Sequence, residues 1–241
     1  MRDQRGAALL LVLWIIALGS LLLGQLAVSV QLQQRQSQWQ RQSMQARLAA
    51  EAGIDLAVSG LLRDTSDAWQ PDGQVHEVRF AGSDLRIRIR SERGKLDLNA
   101  ASERDIRALL SACSDTKNGS DRRDQAVIQA LLARREALPL RMLDELRALP
   151  AMSNARYHCL LPDITVWSGA PRPDPTLASR RLSQVLGLPR SRASGHNAGQ
   201  VLTVSAEVTL PDGFRDQLVV TLVLRTGVPG RKPYRVLRWQ E

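Results

Sequence analysis

Residues able to do chemistry are few and scattered in this 241-residue chain. The three histidines, His76, His158 and His196, lie far apart: His76 on a predicted strand, His158 on a short helix and His196 in a loop. Each fits a surface or structural role better than a catalytic one. Cys113 and Cys159 lack CxxC or metal-ligand spacing, which argues against zinc and thioredoxin chemistry. Outside the cytoplasm they could form one disulfide. Two separate buried thiols fit equally well. Asp144-Glu145 is an adjacent carboxylate pair, but neighbours on a helix point in different directions and give no acid/base geometry. No phosphate loop, GxSxG or HExxH occurs. The expectation is a protein that is not an enzyme, with no catalytic residue and no resident cofactor or metal.

The elements that position these residues begin with an apolar run. Met1 to Gly6 is short and charged; Ala7 to Leu23 then carries no charge, with Ser20 as its one polar break, and diluted apolar character continues to Val30. At ~1.5 Å per residue a helix here is long enough for the ~30 Å core of a bilayer. The sequence predicts one membrane anchor running directly into a longer helix. A cleaved secretory signal is the competing reading, with Ala27-Val28-Ser29 as its cleavage site. Charge orients the anchor weakly: Arg2 and Arg5 precede it, Arg35 and Arg41 follow, and the uncharged gap from Leu26 to Gln34 favours an inside N-terminus.

Composition is that of a globular protein, with 44% hydrophobic and 24% charged residues. The net charge of +9 fits nucleic acid, acidic protein or anionic lipid as a partner, or simply a solvated basic surface. Gln25 to Leu62 has no proline, and from Leu48 an apolar stripe at helical period runs through Ala52, Ile54, Val58, Leu61 and Leu62. Asp64 to Gly73 ends this helix. A hairpin follows, Val75 to Phe80 and Leu85 to Arg90, the second strand alternating Leu85, Ile87 and Ile89 with Arg86, Arg88 and Arg90. From Lys95 the period turns helical. Ser102 caps one helix; Val127 to Leu132, Leu143 to Leu149 and a Ser153-capped segment mark three more; a last runs about Thr176 to Leu186. Ile164 to Trp167 reads as a short strand. Three strands close the chain: Leu202–Leu210, Leu218–Leu224 and Tyr234–Trp239. Two architectures fit: one α+β domain whose sheet is interrupted by a helical insertion, or two domains in series with the last strands as their own sheet.

Several segments together resemble a known family. The leader RDQRG before AALLLVLWIIAL is similar to a type IV prepilin signal. GKLDLNAAS (Gly94 to Ser102), LDELRALPAMS (Leu143 to Ser153), ITVWSG (Ile164 to Gly169) and PYRVLRW (Pro233 to Trp239) resemble the minor pseudopilin K family of the type II secretion system, in the family's order. The resemblance implies an α+β, pilin-like fold: a long N-terminal transmembrane helix on an antiparallel sheet, with an inserted all-α domain. Expected boundaries are leader 1–6, transmembrane helix 7–30, periplasmic helix and first strands 31–93, helical insert 94–190 and last strands 191–241. It implies leader removal between Gly6 and Ala7 by the prepilin peptidase, and N-methylation of Ala7. Ordinary pseudopilins carry a glutamate at the fifth mature residue; that position here is Leu11, and the K family also lacks the carboxylate. A carboxylate in hydrocarbon needs a partner, which a subunit with none above it lacks. A plain anchor helix predicts Leu11 equally well.

The implied role is minor pseudopilin at the pseudopilus tip, initiating or capping the filament. The implied partners are minor pseudopilins I and J, the prepilin peptidase, inner-membrane secretion components and membrane lipid, but no nucleic acid. The implied location is the inner membrane, single-pass, with the globular part in the periplasm. Some relatives bind calcium; Asp115, Asn118, Ser120 and Asp121 could supply oxygen ligands, though Lys117 intrudes and the spacing is not that of an EF-hand. A competing function is a membrane-anchored helix-hairpin-helix DNA-binding protein, since Leu143 to Leu161 resembles such a hairpin. Its turn, Pro150-Ala151-Met152-Ser153, lacks the glycines that let backbone N–H groups approach phosphate.

Overall fold

The computed structural model describes residues 4–113, 120–189, 197–225 and 232–240, with backbone alone for 4–11, 21–30 and 120–121. Helix α1 spans Gln4–Leu61, 58 residues and about 87 Å at the α-helical rise. Among the described residues, it meets the rest of the chain from Gln42 onward, where the Gln42 amide donates to Asp212. There Ala46, Ala49, Ala50, Ile54, Ala57 and Val58 are buried at helical spacing. Small residues let the helix lie close: a Cβ on Gly53 would stand 3.0 Å from Ala206 Cβ.

The helix packs on a five-stranded antiparallel sheet of order β1-β2-β5-β6-β7. Its strands are β1 (Asp72–Phe80), β2 (Ser83–Ser91), β5 (Val201–Thr209), β6 (Arg215–Leu224) and β7 (Tyr234–Gln240). Period two puts Leu85, Ile87 and Ile89 of β2 on the inner face, opposite Val208, Ala206 and Val204 of β5. Leu218, Val220 and Leu222 continue that face on β6. The last strands therefore join the hairpin in one sheet: β5 pairs with β2, and the separate C-terminal sheet does not form.

Between β2 and β5 lies a lobe of short elements with its own buried core, from Leu96 to Leu188. It contains β3 (Leu96–Asp97), α2 (Glu103–Ala112), α3 (Ser120–Ala137), α4 (Asn154–Leu160), β4 (Ile164–Thr165) and α5 (Arg180–Leu186). Ser102 and Ser153 each accept a hydrogen bond from the backbone N–H three residues on, at 3.2 Å. The segment Leu143–Ala148 is a 3-10 helix rather than an α-helix. The last helix starts later than its apolar pattern suggests. Asp174 draws Thr176 into a turn, accepting from its N–H at 2.9 Å and its hydroxyl at 2.6 Å, and Ser179 then caps α5. Cys113 and Cys159 are joined as a disulfide, closing a sequence separation of 46 residues.

Candidate functional site

Gly6, Ala7 and Leu11 fall in the first turns of α1, and their side chains lie outside the described ones. Most of the expected transmembrane stretch, 7–11 and 21–30, is likewise outside. Among the described residues no helix is long and apolar enough to cross a membrane. Between those gaps, Val12, Leu13, Trp14, Ile15, Ile16 and Leu18 are exposed, Trp14 at 69%, and nothing among the described residues covers them. The Ser20 hydroxyl donates to Ile16 O at 2.8 Å, so the stretch's polar break is satisfied inside the helix.

The scattered histidines stay apart. His76 in β1 stacks on Trp69, ring centroids 4.1 Å apart; His158 in α4 packs edge-on to Tyr157; His196 lies outside the described residues. Of the calcium candidates, Asp115 and Asn118 lie outside the described residues, and Ser120 and Asp121 open α3 with backbone alone. Among the described residues no group of three or more His, Cys, Asp or Glu is placed to hold a metal.

The hairpin ahead of α4 turns at Ala151, whose φ of 62° a glycine would adopt without a Cβ cost. Met152 is half-buried against the lobe core. At the N-terminus of α4 the Arg156 N–H is already donated to Ser153.

What the structure does bring together are the resembling segments. In GKLDLNAAS, buried Asp97 accepts from Gly169 N at 2.7 Å and from the Ser168 hydroxyl at 3.1 Å, fastening ITVWSG to it. Two residues on, Asn99 donates to Leu140 O at 2.9 Å and to Val166 O at 3.3 Å, and accepts from Leu140 N at 2.8 Å. Gly94 has no room for a Cβ, because the Leu177 carbonyl group lies against it.

A register row across the sheet's outer face then carries the lobe. Arg90 pairs with Thr203, Thr203 with Thr221 and Thr221 with Arg238. Thr203 donates to Oε1 of Glu92 at 2.6 Å, and Lys95 sits 2.6 Å from the same oxygen. Glu92 is 0% exposed, and its other oxygen has no hydrogen-bond partner among the described residues. At the far end of the row, Arg238 of PYRVLRW donates to the Tyr157 hydroxyl at 2.8 Å and to Asp144 of LDELRALPAMS at 3.3 Å, while Tyr157 donates to Asp144 at 2.8 Å. Arg147 stands 4.4 Å from the centre of the Tyr157 ring. Burial pushes the Asp144 carboxyl up, but the Tyr157 hydroxyl and Arg238 outweigh it and hold the group below its ordinary value. Burial, then the Asp144 bond, raises Tyr157. Arg90 is lowered by burial and by Arg88, against the attraction of Asp163 in the lobe.

None of these residues was legible as a cluster. Glu92 reads as a turn residue, and its burial follows from a strand 111 residues away. A second surface lies on the opposite side: Met44 and Leu48 of α1 are 62% and 59% exposed and, with Phe80 of the hairpin, line a mostly apolar groove of about 400 Å³.

No family model matches the chain, and no curated protein matches its sequence. Among solved structures, it is similar to a chain of the GspK-GspI-GspJ complex from the enterotoxigenic Escherichia coli type 2 secretion system. The two are 15% identical, the match covers 85% of this chain and 98% of that one, and the TM-score is 0.57. The chain thus has a pseudopilin-like fold: a long N-terminal helix laid on an antiparallel sheet, with further helices.

Proposed function

We propose that this chain is a minor pseudopilin of the K type, working at the tip of a type II secretion pseudopilus. The observation that carries the reading is the fold likeness, which extends over nearly all of the neighbour's length and most of this chain's. The sequence resemblance supports it independently, because the four resembling segments are the ones that meet in space: Asp97 with Gly169, and Asp144 with Arg238.

In this reading residues 1–6 are a leader, removed after Gly6, and Ala7 becomes the methylated N-terminus. Residues 7–30 anchor the chain in the inner membrane, with residues 31–93, the lobe at 94–190 and the last strands at 191–241 in the periplasm. The exposed apolar side chains at 12–18 and the internally bonded Ser20 suit a lipid environment, where every backbone and hydroxyl donor needs a partner within the helix. Minor pseudopilins I and J are the proposed partners, with the prepilin peptidase acting on the leader. The exposed Met44, Leu48 and Phe80 offer an apolar surface for a neighbouring subunit. Leu11 removes the intramembrane carboxylate, and the lobe adds bulk beside the sheet; both suit a filament end. Chemistry on a substrate has no part in the role.

Processing tests the reading. Expressed with a prepilin peptidase, the chain should lose Met1 to Gly6 and gain one methyl group by intact mass. Cleavage near Ser29 instead would support the secretory-signal reading. Leu11→Glu should leave secretion nearly intact, whereas deleting 94–188 should abolish tip assembly; the reverse result would defeat the steric part of the argument.

A further inference from the structure

Arg181 of α5 occupies an unusual position. Its Nη2 lies 2.9 Å from Cys113 Sγ and 2.9 Å from Cys159 Sγ, so one guanidinium nitrogen touches both sulfurs of the disulfide. The same side chain is anchored by Nη1, which donates to Cys159 O at 3.0 Å and to Asp163 Oδ2 at 3.1 Å. Asp163 is in turn fixed by the Ser179 hydroxyl at 2.7 Å. A disulfide sulfur is a weak acceptor and does not need a cation. A thiolate does. A guanidinium held over two sulfurs by two other contacts is a site shaped for the anionic form of cysteine.

We propose that Arg181 makes the Cys113–Cys159 pair a built acceptor site for thiol–disulfide exchange, whose co-reactant is the disulfide of an oxidising protein. The two cysteines are unequal. Cys113 is 8% exposed, at the C-terminal end of α2, whereas Cys159 is half-buried and the more accessible. Cys159 thiolate attacks one sulfur of the oxidant's disulfide. A mixed disulfide forms, and the oxidant's other sulfur leaves as thiolate. Cys113, held as thiolate under Arg181, then attacks Cys159 Sγ. The Cys113–Cys159 bond forms and the oxidant's second sulfur leaves. This chain has lost two electrons and the thiol protons; the oxidant has gained the electrons and is a dithiol.

The charges around the pair set the sign of the pH effect. Arg181 favours the thiolate. Asp163 opposes it, itself within the field of Arg90 from the sheet. His158, next to Cys159 on α4, is exposed. On α3, Asp124 is 3.5 Å from the Ser111 hydroxyl of α2 and is paired with Arg156 at 2.8 Å. Arg181 alone among these touches sulfur in the described contacts. It is a positioning residue: it acts through the cysteines.

The test is closure of the full chain, reduced and freed of reductant, by oxidised glutathione, followed by alkylation and intact mass from about pH 6 to about pH 9.5. A free thiol loses rate about tenfold per pH unit below its ordinary value of about 8.5. The wild type should fall less steeply. A stabilised thiolate is more abundant but less nucleophilic, with a Brønsted slope of about 0.5, so Arg181→Gln should close about three- to tenfold more slowly near pH 6.5 and no more slowly near pH 9.5. Arg181→Lys should fall between. Asp163→Asn removes the opposing carboxylate and should close faster near pH 6.5, a change of opposite sign that loss of fold would not produce. A wild-type profile with the full free-thiol slope would overturn the proposal. So would a Gln variant slowed equally at every pH, which is the mark of a structural role, or an Asn variant that is not faster.

Discussion

The sheet with α1 and the helical lobe bury cores of similar size by different means. Under α1 the core is aliphatic: Leu85, Ile87, Ile89, Val204, Ala206, Val220 and Leu222 meet a helix face of alanines, Gly53, Ile54 and Val58. Backbone pairing across five strands satisfies the polar groups there. The lobe has no such ladder. Among the described residues its longest strand is two residues, so its order comes from side chains: three serine caps, Asp97, Asn99, a disulfide and the buried Asp124–Arg156 ion pair. Local hydrogen bonds to backbone give orientation, and apolar area gives stability. The sheet should be robust to polar substitutions at its rim, and the lobe sensitive to single ones.

The largest effect is expected where the two regions join. Lys95→Met leaves Glu92 buried without its cation, a loss of about 3–5 kcal/mol by denaturant unfolding. Combining it with Glu92→Gln should recover most of that loss. If Lys95→Met is silent, the join is not held by this pair. Within the sheet, Ile87→Ala should cost about 2–5 kcal/mol and show no dependence on salt or reductant, as expected of a cavity in an aliphatic core. A strong salt dependence there would break the contrast.

Reduction of the disulfide should cost the lobe about 2–4 kcal/mol, since the tie closes a separation of 46 residues, and leave the sheet's amide-exchange protection unchanged. Equal loss in both regions would show that they unfold as one. A smaller effect, about 1–2 kcal/mol, is expected of Tyr157→Phe, which removes the hydroxyl joining Asp144 to Arg238. The same clasp sets a pH window. Asp144 is held below its ordinary value, so its contribution is full above about pH 4 and fades as pH falls through the lowered value. Tyr157 is raised, so its contribution is full below about pH 10 and is lost as pH rises through the raised value. Lobe protection by hydrogen exchange should be flat between those limits; a transition near neutral pH would point to a different group.

Local pattern made much of this legible. Alternating Leu85, Ile87 and Ile89 with arginines located β2, and Ser102 and Ser153 located two helix starts. What stayed hidden depends on distant partners. Periodicity could not decide whether Cys113 and Cys159 meet, because the spacing between them is set by the fold of α2 against α4. Nor could it show that Arg90, Thr203, Thr221 and Arg238 form one row, since that needs the register of four strands. Apolar spacing alone places the start of α5 too early, because it ignores the Asp174 turn. The fold was therefore more legible than the site, whose members come from four segments.

The proposed role requires assembly with minor pseudopilins I and J. It is tested most directly by co-expressing the tagged chain with minor pseudopilins I and J, purifying it at about 0.15 M salt, and weighing the complex by native mass spectrometry. The expected result is a complex containing one copy of each, weakened by Leu48→Glu on the exposed face of α1. Recovery of the chain with neither pseudopilin, and with nucleic acid bound in their place, would contradict it.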